Sequence, residues 1–461
     1  LDGAGIVYVL TKRDAEQVKE WLVSQGIDAR AYYSGILHPD FKDTNQYREY
    51  LEDLLLNNEL KVLVATTALG MGYDKPDLNF VIHYQTPGSI VAYYQQVGRA
   101  GRGIAKSFGI LLSGTEDERI HQFFRRSAFP SQVQIHQVLS VLDENDELSV
   151  LKLEECLNMR KGDIEKVLKF LSVESPAPVQ KVGAKWVRTP VEYQLDNEQV
   201  ARLTGMREQE WLEMQEYTTR SSCLMEYLRA ALDDPEAQPC GKCANCLGEP
   251  LVNPQPDRRT VITAAQFLRH SEFVFTPKIQ VAANGFPEYG LKGNLHPALR
   301  AQEGRVLSRW ADAAWGGLVE HDKHAGYFRD ELVDAMAEMI QQRWRPVPTP
   351  EWVTCVPSLN HPELVPDFAK RLAAKLGLPF YPVITKVREN QPQKLQNNRY
   401  HQCSNLDGVF AVGGELPGTP VLLVDDVVDS GWTMTLLAAL LRRGGSGEVY
   451  PVALASSAAG D

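Results

Sequence analysis

The sequence predicts an α/β protein built from several domains. Three observations lead to this: a strand, loop, strand and helix in succession across residues 61–102, a helix-rich stretch that begins at Pro130, and a buried strand at residues 421–424 that ends on two carboxylates. With 461 residues, the chain has room for about three domains.

Composition and charge narrow the class of protein further. Apolar residues make up 44% of the chain and charged residues 23%, which is typical of a globular protein. The formal net charge is −11, so a nucleic-acid surface has to be a local patch. No apolar run approaches the roughly 18 residues that a membrane span needs, and no signal peptide opens the chain. We therefore expect a cytoplasmic protein with no membrane partner.

The first predicted domain covers residues 1–128 and opens with a strand, a helix and a second strand. Residues 6–10 are an apolar strand, and residues 27–33 are the next one. Between them, residues 14–25 place Val18, Trp21 and Leu22 at helical spacing. This order is typical of a parallel sheet with crossover helices.

Residues 61–102 contain the candidate phosphate-binding groups of this domain. A strand at residues 62–64 leads into Thr66 and a glycine-rich loop, and a helix later ends in Gly98-Arg99-Ala100-Gly101-Arg102. Glycines let the backbone approach a ligand closely, and we expect two guanidinium groups free to bind phosphate oxygens. Paired arginines on a solvated surface are the alternative. The motif residues beside the two arginines are Thr66, Gly70, Gly72, Asp74, Gln95 and Gly98.

The segments ATTALGMGYDKPD and AYYQQVGRAGR resemble motifs V and VI of superfamily 2 helicases, and those of the RecQ family in particular. The resemblance implies a second RecA-like lobe, in which Arg99 and Arg102 are catalytic residues that reach the phosphates of ATP. It also implies that Thr66 touches the DNA backbone, and that the intact protein unwinds DNA 3′ to 5′ at junctions of single strand and duplex in repair or recombination.

A phosphate loop of the form G-x-x-x-x-G-K-[ST] is absent from the sequence. The lobe that would bind ATP and Mg²⁺ is therefore expected to be missing, and the chain is expected to be a C-terminal fragment without ATPase activity of its own. The segment YYSGI also stands where the family usually has a His-containing version.

Residues 129–192 predict three helices followed by a hairpin. The third helix places Ile164, Val167, Leu168 and Leu171 on one face, and the hairpin joins residues 179–182 to residues 185–188. This is the composition of a winged helix, a DNA-binding arrangement. A packing domain with a solvated lysine face fits the same pattern. The candidate DNA contacts are Lys161, Lys166, Lys169 and Lys185.

Residues 193–248 predict a helical region that binds zinc. A long helix at residues 202–232 contains Cys223, and Cys240, Cys243 and Cys246 follow at C-x₂-C spacing. Four thiolates in this pattern suit a tetrahedral structural Zn²⁺ site, and a redox pair or an iron–sulfur cluster are the alternatives. The arrangement resembles the RecQ family, which places one cysteine on a helix and three in a knuckle. The other cysteines, Cys156, Cys355 and Cys403, are expected to be isolated buried residues.

The rest of the chain divides into a Pro-rich linker (residues 249–259), a segment of unassigned role (residues 260–345) and a C-terminal α/β domain (residues 346–461). For the middle segment we expect only packing or a substrate hood, with an amphipathic helix at residues 328–344.

The C-terminal domain contains the segment VLLVDDVVDSGWTMT. A strand that ends on Asp425 and Asp426 and then turns into a helix is suited to a phosphorylated sugar, because open α/β sheets bind ligands at strand ends and helix N-termini attract phosphate. A Rossmann-like core with an acidic turn is the alternative. The expected phosphate-binding residues are Asp429, Ser430, Gly431, Trp432 and Thr433.

This segment resembles the phosphoribosyl-pyrophosphate loop of type I phosphoribosyltransferases, and WVTCVPSL and FAKRLAAKLGLPF resemble the competence-type branch of that family. The resemblance implies phosphoribosyl pyrophosphate with Mg²⁺ as the ligand. Asp425 and Asp426 would face the ribose, and Pro357 and Ser358 would take the pyrophosphate. Lys394 and Arg399 would belong to a mobile loop.

Together these features predict the C-terminal part of a RecQ-like helicase joined to a phosphoribosyltransferase-like domain. The first resemblance covers residues 1 to about 248 and the second about 350 to 461. The competing interpretation is a phosphoribosyltransferase or nucleotide-binding protein that uses helicase-like parts as a DNA-binding scaffold. The sequence predicts no oligomeric state.

Overall fold

The computed structural model describes residues 1–70 and 72–457. These residues form two units. The first comprises Leu1–Phe129 and Gln194–Thr260, and the second comprises Pro130–Tyr193 and residues 261–457. Each unit has its own hydrophobic core. None of the helices in the described part of the chain has the length and hydrophobicity needed to cross a membrane.

The first unit begins with a five-stranded parallel sheet in the order β2-β3-β1-β4-β5. Its strands β1 and β3 are wholly buried, since helices cover both faces of such a sheet. This is the predicted RecA-like lobe. The strands are β1 Gly5–Tyr8, β2 Ala29–Tyr32, β3 Val62–Ala65, β4 Phe80–His83 and β5 Phe108–Leu111, and the helices are α1 Lys12–Ser24, α2 Thr44–Leu56, α3 Ile90–Val97 and α4 Asp117–Arg126.

Residues 130–193 of the second unit form three helices and a three-stranded antiparallel sheet of order β6-β8-β7. The helices and the hairpin lie where the sequence predicts them, and β6 is an additional short strand. The core positions expected on the third helix are all buried. The elements are α5 Gln132–Asp143, β6 Leu148–Ser149, α6 Val150–Cys156, α7 Lys161–Ser172, β7 Val179–Val182 and β8 Lys185–Arg188.

The chain then returns to the first unit as α8 Asn197–Thr219, α9 Leu224–Ala230 and α10 Ala244–Leu247. The prediction of one helix across residues 202–232 is wrong. The backbone becomes extended at Arg220, and Cys223 is the N-cap of α9, where its sulfur accepts a hydrogen bond from the Glu226 N–H. A cap of this kind favours the start of a new helix, because it satisfies one of the N–H groups that a helix leaves free at its first turn.

The larger part of the second unit is a sheet of order β11-β14-β15-β10-β9, parallel except for the edge strand β9. A separate antiparallel pair, β12 with β13, lies outside this sheet. The elements are α11 Arg258–His270, β9 Phe273–Phe275, β10 Gly304–Arg309, α12 Gly316–Ala325, α13 Asp330–Glu338, β11 Trp352–Cys355, α14 Leu364–Leu376, β12 Ile384–Lys386, α15 Arg399–Ser404, β13 Phe410–Val412, β14 Val421–Val428, α16 Trp432–Arg443 and β15 Val449–Ser456.

This part of the second unit departs from the predicted organisation in three respects. Segment 260–345 supplies β9 and β10, and β10 pairs with β15, so residue 346 does not divide two structural units. The strand β14 continues to Val428, so Asp425 and Asp426 lie inside it and not after it. The helix expected at residues 328–344 begins at Asp330 and finishes as a π-helical turn, Met339–Trp344.

Candidate functional site

An open cleft of about 420 Å³ lies in the first unit at the end of α3. It brings together six of the eight predicted motif residues, and Tyr73 and Tyr94 line it as well. The motif residues in the cleft are Gly72, Asp74, Gln95, Gly98, Arg99 and Arg102. Thr66 and Gly70 do not line it, and Thr66 is buried with its hydroxyl accepting a hydrogen bond from the Ala68 N–H.

The two arginines of this cleft are not free, contrary to the sequence-based expectation. Arg99 is buried, and its guanidinium donates to the carbonyl oxygens of Tyr73 at 2.9 Å and Gly70 at 2.7 Å. These bonds tie the end of α3 to the glycine-rich loop. The backbone carbonyls, which no sequence motif displays, supply the partners.

Arg102 differs from Arg99 because it is exposed. Its guanidinium donates to Asp74 Oδ1 at 2.9 Å and to the Gly98 carbonyl at 3.1 Å. The side chains of this ion pair are 47% and 61% exposed, so solvent weakens it. Arg102 is therefore the guanidinium that an incoming phosphate would meet with the smaller loss of existing contacts.

His83 fixes the position of α3 against β4. Its Nε2 lies 2.7 Å from Gln96 Oε1, and its ring stacks on Tyr8. Burial lowers the pKa of His83 to about 4, so the ring is neutral at pH 7 and Nε2–H donates to the amide oxygen. The neighbouring Gln95 is exposed at the cleft.

The four predicted zinc ligands lie together in the first unit. The sulfur atoms of Cys223, Cys240, Cys243 and Cys246 all lie within 4.8 Å of one another. A Zn²⁺ ion with Zn–S bonds of about 2.3 Å needs sulfurs roughly 3.8 Å apart, so this cluster fits a tetrahedral ion with little movement. The separation between the sulfurs of Cys243 and Cys223 is 3.9 Å.

Backbone donors prepare these sulfurs for metal. The Cys240 N–H donates to Cys223 Sγ at 3.2 Å, and the Cys243 N–H donates to Cys240 Sγ at 3.3 Å. Burial raises the pKa of the Cys243 thiol, but hydrogen bonds from backbone N–H groups and from the neighbouring thiols together outweigh burial and lower the pKa to about 6. The thiolate is the form that binds metal. All four cysteines are free thiols, as are Cys156, Cys355 and Cys403; the last two are buried as predicted, whereas Cys156 is exposed.

The four predicted DNA-contacting lysines lie on α7 and at the start of β8, and acidic side chains accompany three of them. Lys161 is 3.7 Å from Glu165, Lys166 is 4.0 Å from Asp163, and Lys185 is bonded to Glu147. Lys169 is exposed, and within residues 1–70 and 72–457 it has no carboxylate within 4.0 Å. This surface is therefore mixed in charge.

In the second unit, Asp425 and Asp426 lie side by side in β14. Asp426 Oδ2 forms an ion pair with Lys323 Nζ of α12, at a distance of 2.8 Å. Desolvation and the neighbouring Asp426 raise the pKa of Asp425 well above its usual range. The Asp426 N–H donates to Asp425 Oδ1 at 2.8 Å, which holds the first carboxyl in place.

The loop that follows β14 turns sharply at a glycine into the start of α16. Gly431 has φ of +81°, and a Cβ there would lie 2.6 Å from Phe275, so only glycine fits. α16 begins directly after it, at Trp432, with nine buried residues anchoring the helix. The Ser430 hydroxyl oxygen is buried and has no hydrogen-bond partner among the described residues. A buried hydroxyl without a partner at a helix start is suited to a ligand oxygen.

An open cleft of about 390 Å³ adjoins this loop. Ser430 and Trp432 line it from the predicted loop, and Arg399 lines it from the segment predicted to be mobile. The Arg399 guanidinium lies 3.4 Å from Gln280 Oε1. The remaining lining residues, which the sequence did not suggest, are Lys278, Ile279, Gln280 and Gln402.

The other predicted residues of this domain lie outside that cleft. Pro357 and Ser358 follow β11, which is the neighbour of β14 in the sheet, and the Ser358 hydroxyl accepts from the His361 N–H. Lys394 is exposed and does not line the cleft. Asp429 and Thr433 are half-buried on either side of the glycine.

Lys278 and Lys323 are the cations that sequence reasoning missed. Both come from segment 260–345, for which the sequence suggested no chemistry. The signal that would have revealed them is the strand β9 just before Lys278, because it joins this segment to the sheet that carries the acidic pair.

Comparisons with known proteins agree with this geometry. Residues 2–103 match the helicase conserved C-terminal domain, and residues 367–460 match the phosphoribosyl transferase domain. The ATP-dependent DNA helicase RecQ of Synechocystis sp. is 32% identical over 262 residues, which are 54% of this chain and 50% of that protein. ATP-dependent DNA helicase Q1 of Pongo abelii is 44% identical over 114 residues, 25% of this chain and 16% of that one.

The chain thus spans about half the length, or less, of the relatives that it matches. The likeness to the Synechocystis protein extends past the matched helicase domain, over 262 residues in all. The phosphoribosyl transferase domain ends the chain. The chain is therefore a RecQ-like helicase C-terminal region joined to a C-terminal phosphoribosyl transferase domain.

Proposed function

We propose that this chain is the C-terminal part of a RecQ-like, ATP-dependent DNA helicase that unwinds 3′ to 5′ and acts in DNA repair or recombination. ATP and Mg²⁺ would bind between its first lobe and a second lobe that carries the phosphate loop. The observation that carries the proposal is the cleft at the end of α3, where Arg102 is exposed beside Gln95 and Gly98.

The two arginines would divide the work in this cleft. Arg102 would exchange its solvent-weakened pair with Asp74 for a nucleotide phosphate. Arg99 would hold the loop of Gly70 and Tyr73 in place. A guanidinium that reaches the transferred phosphate from another lobe stabilises the charge of the transition state and is worth about 10³–10⁵ in rate.

DNA would be the partner of this part of the chain, bound where single strand meets duplex. Thr66 would touch the backbone of one strand, and residues 130–193 would act as a winged helix on the duplex. Lysine contacts to phosphates release counterions, and Lys169 is the exposed lysine of this surface without a carboxylate within 4.0 Å among the described residues. A Zn²⁺ ion on the four cysteines would hold α9 and α10 together.

The second part of the proposal concerns the phosphoribosyl transferase domain. We infer that it binds a ribose 5-phosphate group, most simply as phosphoribosyl pyrophosphate with Mg²⁺. The unpartnered Ser430 hydroxyl and the start of α16 would receive the phosphate, with Lys278 and Arg399 beside it. Asp425 and Asp426 would face the ribose.

This second part also supports the competing function, a phosphoribosyltransferase that uses the helicase-like region as a DNA-binding scaffold. The favouring observation is that both cations at the cleft are in place beside an unpartnered hydroxyl. Ligand-holding residues are recognisable here, whereas no side chain is identified as an acceptor-activating base. The proposal for this domain is therefore ligand binding, and it does not include transfer of the phosphoribosyl group.

The helicase proposal is tested by joining this chain to the phosphate-loop lobe of a RecQ helicase and measuring DNA-stimulated ATP hydrolysis. We expect hydrolysis, and a loss of at least about 10²-fold in kcat for Arg102→Ala. Arg229→Ala, at a half-buried ion pair in α9 that does not line the cleft, is the control. If Arg102→Ala hydrolyses ATP at the parent rate, the assigned role of Arg102 is wrong, and absence of DNA stimulation contradicts the helicase proposal.

The second proposal is tested by titration calorimetry of the 461-residue chain with phosphoribosyl pyrophosphate and Mg²⁺. Saturable binding is expected, and it should be lost when Asp425→Asn and Asp426→Asn are combined. Asp257→Asn, in the linker, should bind like the parent chain. Without saturable heat from the parent chain, the loop would be only a scaffold.

A further inference from the structure

Asn398 links the C-terminal domain to the helical subdomain of residues 130–193 within the second unit. Its side chain is 4% exposed. The two hydrogens of the side-chain N–H₂ group are shared among three backbone carbonyls: those of Glu154 at 2.9 Å, Leu157 at 2.7 Å and Met159 at 2.9 Å from Nδ2. These carbonyls belong to the end of α6 and the turn that leads to α7, which we call the α6–α7 turn (residues 154–159).

The neighbouring asparagines make the contact reciprocal. The Asn397 N–H donates to Asn158 Oδ1 at 2.7 Å, and the Asn397 side chain donates to the Asn158 carbonyl at 3.0 Å. In return, Asn158 Nδ2 donates to the Leu395 carbonyl at 2.9 Å. Side chains of each segment thus donate hydrogen bonds to backbone carbonyls of the other, and these bonds fix the position of residues 395–398 against the α6–α7 turn.

The same segment reaches the phosphate cleft on its other side. Asn398 is the N-cap of α15, and its Oδ1 accepts from the His401 N–H at 3.0 Å. The next residue, Arg399, and then Gln402, one turn along the helix, line the cleft with Ser430. One asparagine therefore holds both the start of α15 and the α6–α7 turn.

Charged side chains also face each other at this contact. Arg399 and Lys161 lie near enough to Glu154 to oppose the effect of burial, which raises the pKa of that carboxyl. Glu154 belongs to the α6–α7 turn, and Lys161 is the first residue of α7. A ligand anion that draws Arg399 into the cleft therefore changes the charges that face the turn.

We propose that the α6–α7 turn is the docking site of residues 395–402, and that Asn398 is a positioning residue that sets Arg399 in the phosphate cleft. The inference rests on the proposed binding of a phosphorylated ribose, and it adds that the helical subdomain contributes to the affinity. By linkage, a ligand that binds better to the docked arrangement also strengthens the docking.

The test uses the full 461-residue chain and phosphoribosyl pyrophosphate with Mg²⁺ in titration calorimetry. Asn398→Asp is the sharpest variant, since aspartate keeps the N-cap of α15 but removes the N–H donors and sets a carboxylate against three carbonyls. We expect Kd to rise about tenfold, as the loss of one net hydrogen-bond contribution predicts. Asn158→Ala, which lies in the other subdomain, should raise Kd about three- to tenfold for the same reason.

Asn145→Ala is the matched control, because Asn145 lies in the same subdomain and its side chain donates only locally, to the Val141 carbonyl. Parent-like Kd values in both Asn398→Asp and Asn158→Ala would overturn the inference while leaving the proposed ligand intact. A docking contact also predicts faster hydrogen exchange at the amides of residues 399–405 in Asn158→Ala, with the β14 amides unchanged.

The exchange measurement separates the two proposals. If the parent chain binds no phosphoribosyl pyrophosphate, the proposed function fails, and the docking is judged by exchange alone. Unchanged exchange of α15 in Asn158→Ala overturns the docking inference in that case as well. Unfolding of the variant would show itself as faster exchange in β14, and Asn398→Asp then serves as the second variant.

Discussion

Lys323 Nζ lies 2.8 Å from Asp426 Oδ2, so an ammonium group on α12 neutralises one member of the acidic pair in β14. Asp425, the other member, has no cation within 4.0 Å among residues 1–70 and 72–457, and its carboxyl is kept near its partner by the Asp426 N–H. The site therefore holds one compensated and one uncompensated carboxyl.

This asymmetry predicts that Asp425→Asn stabilises the second unit at pH 7. The folded state raises the pKa of Asp425, so it binds the proton more tightly than the unfolded state does. Stability then falls as pH rises from the unfolded pKa, near 3.8, through the folded value. The slope for one proton is at most about 1.4 kcal/mol per pH unit. The stability of the Asp425→Asn variant should not show this decrease with rising pH, because asparagine does not titrate.

Hydrogen exchange of the β14 amides, measured at each pH and corrected for the pH dependence of intrinsic exchange, gives the stability of the second unit as a function of pH. Parent and Asp425→Asn should be nearly equal near pH 3.5 and diverge towards pH 7. Asp77→Asn is a control of opposite sign, because its bond to Lys75 lowers the pKa of Asp77. Removing Asp77 should therefore cost stability in the first unit at pH 7, modestly, since the carboxyl is exposed. Equal stabilities of Asp425→Asn and parent at pH 7 would contradict the assignment.

The two arginines of the first cleft should differ in their effect on stability. Arg99→Ala leaves the carbonyls of Gly70 and Tyr73 without their donor, so we expect a loss of about 2–4 kcal/mol in the free energy of unfolding. Arg102→Ala removes an exposed pair and should cost less than about 1 kcal/mol. Urea denaturation of the first unit measures both, and losses of equal size would refute the division of roles.

The cysteine cluster should bind one Zn²⁺ per chain. Cys240→Ser, or the same change at any other ligand, should remove the metal and loosen α9 and α10, because metal-binding energy at such sites is folding energy. Elemental analysis of purified protein measures the stoichiometry. Cys156→Ser is the matched control, since Cys156 is an exposed thiol outside the cluster. Iron in place of zinc would favour the cluster alternative.

Lys169 should contribute more to DNA binding than Lys185 does. Lys185 is already bonded to Glu147, whereas Lys169 is exposed without a carboxylate partner in the described chain. Lys169→Ala should make the slope of log Kd against log salt shallower by about 0.9 for duplex DNA. Lys152→Ala, on α6, is the comparison because Lys152 is paired with Glu155. An unchanged slope in Lys169→Ala would remove α7 from the interface.

Local patterns predicted the elements that local forces decide. Both hairpin strands, Val179–Val182 and Lys185–Arg188, occur with the predicted bounds, because apolar residues on either side of the turn at Gly183 are visible in a few residues. The convergence of Cys240, Cys243 and Cys246 was likewise predictable from their spacing, since cysteines three residues apart can bind one ion, whereas Cys223 joins them from 17 residues earlier.

Long-range pairing accounts for what the sequence did not predict. Strand β10 pairs with β15, so Arg305 meets Val452, and nothing near residue 305 indicates that partner. The cleft at Ser430 likewise collects Lys278 and Arg399 from distant segments. The carbonyls that hold Arg99 are backbone groups, which every residue carries, so no residue type marks them.

The contact of Asn398 with Leu157 joins residues 241 positions apart, and this has a consequence for synthesis on the ribosome. At about 5–20 residues per second, the three carbonyls of the α6–α7 turn are made roughly 10–50 s before the asparagine that binds them. During that interval the helices and strands of residues 130–193 are complete, but the carbonyls of their α6–α7 turn have no side-chain amide from Asn398. A nascent chain therefore keeps this turn without its docking segment until residues 395–402 have been made.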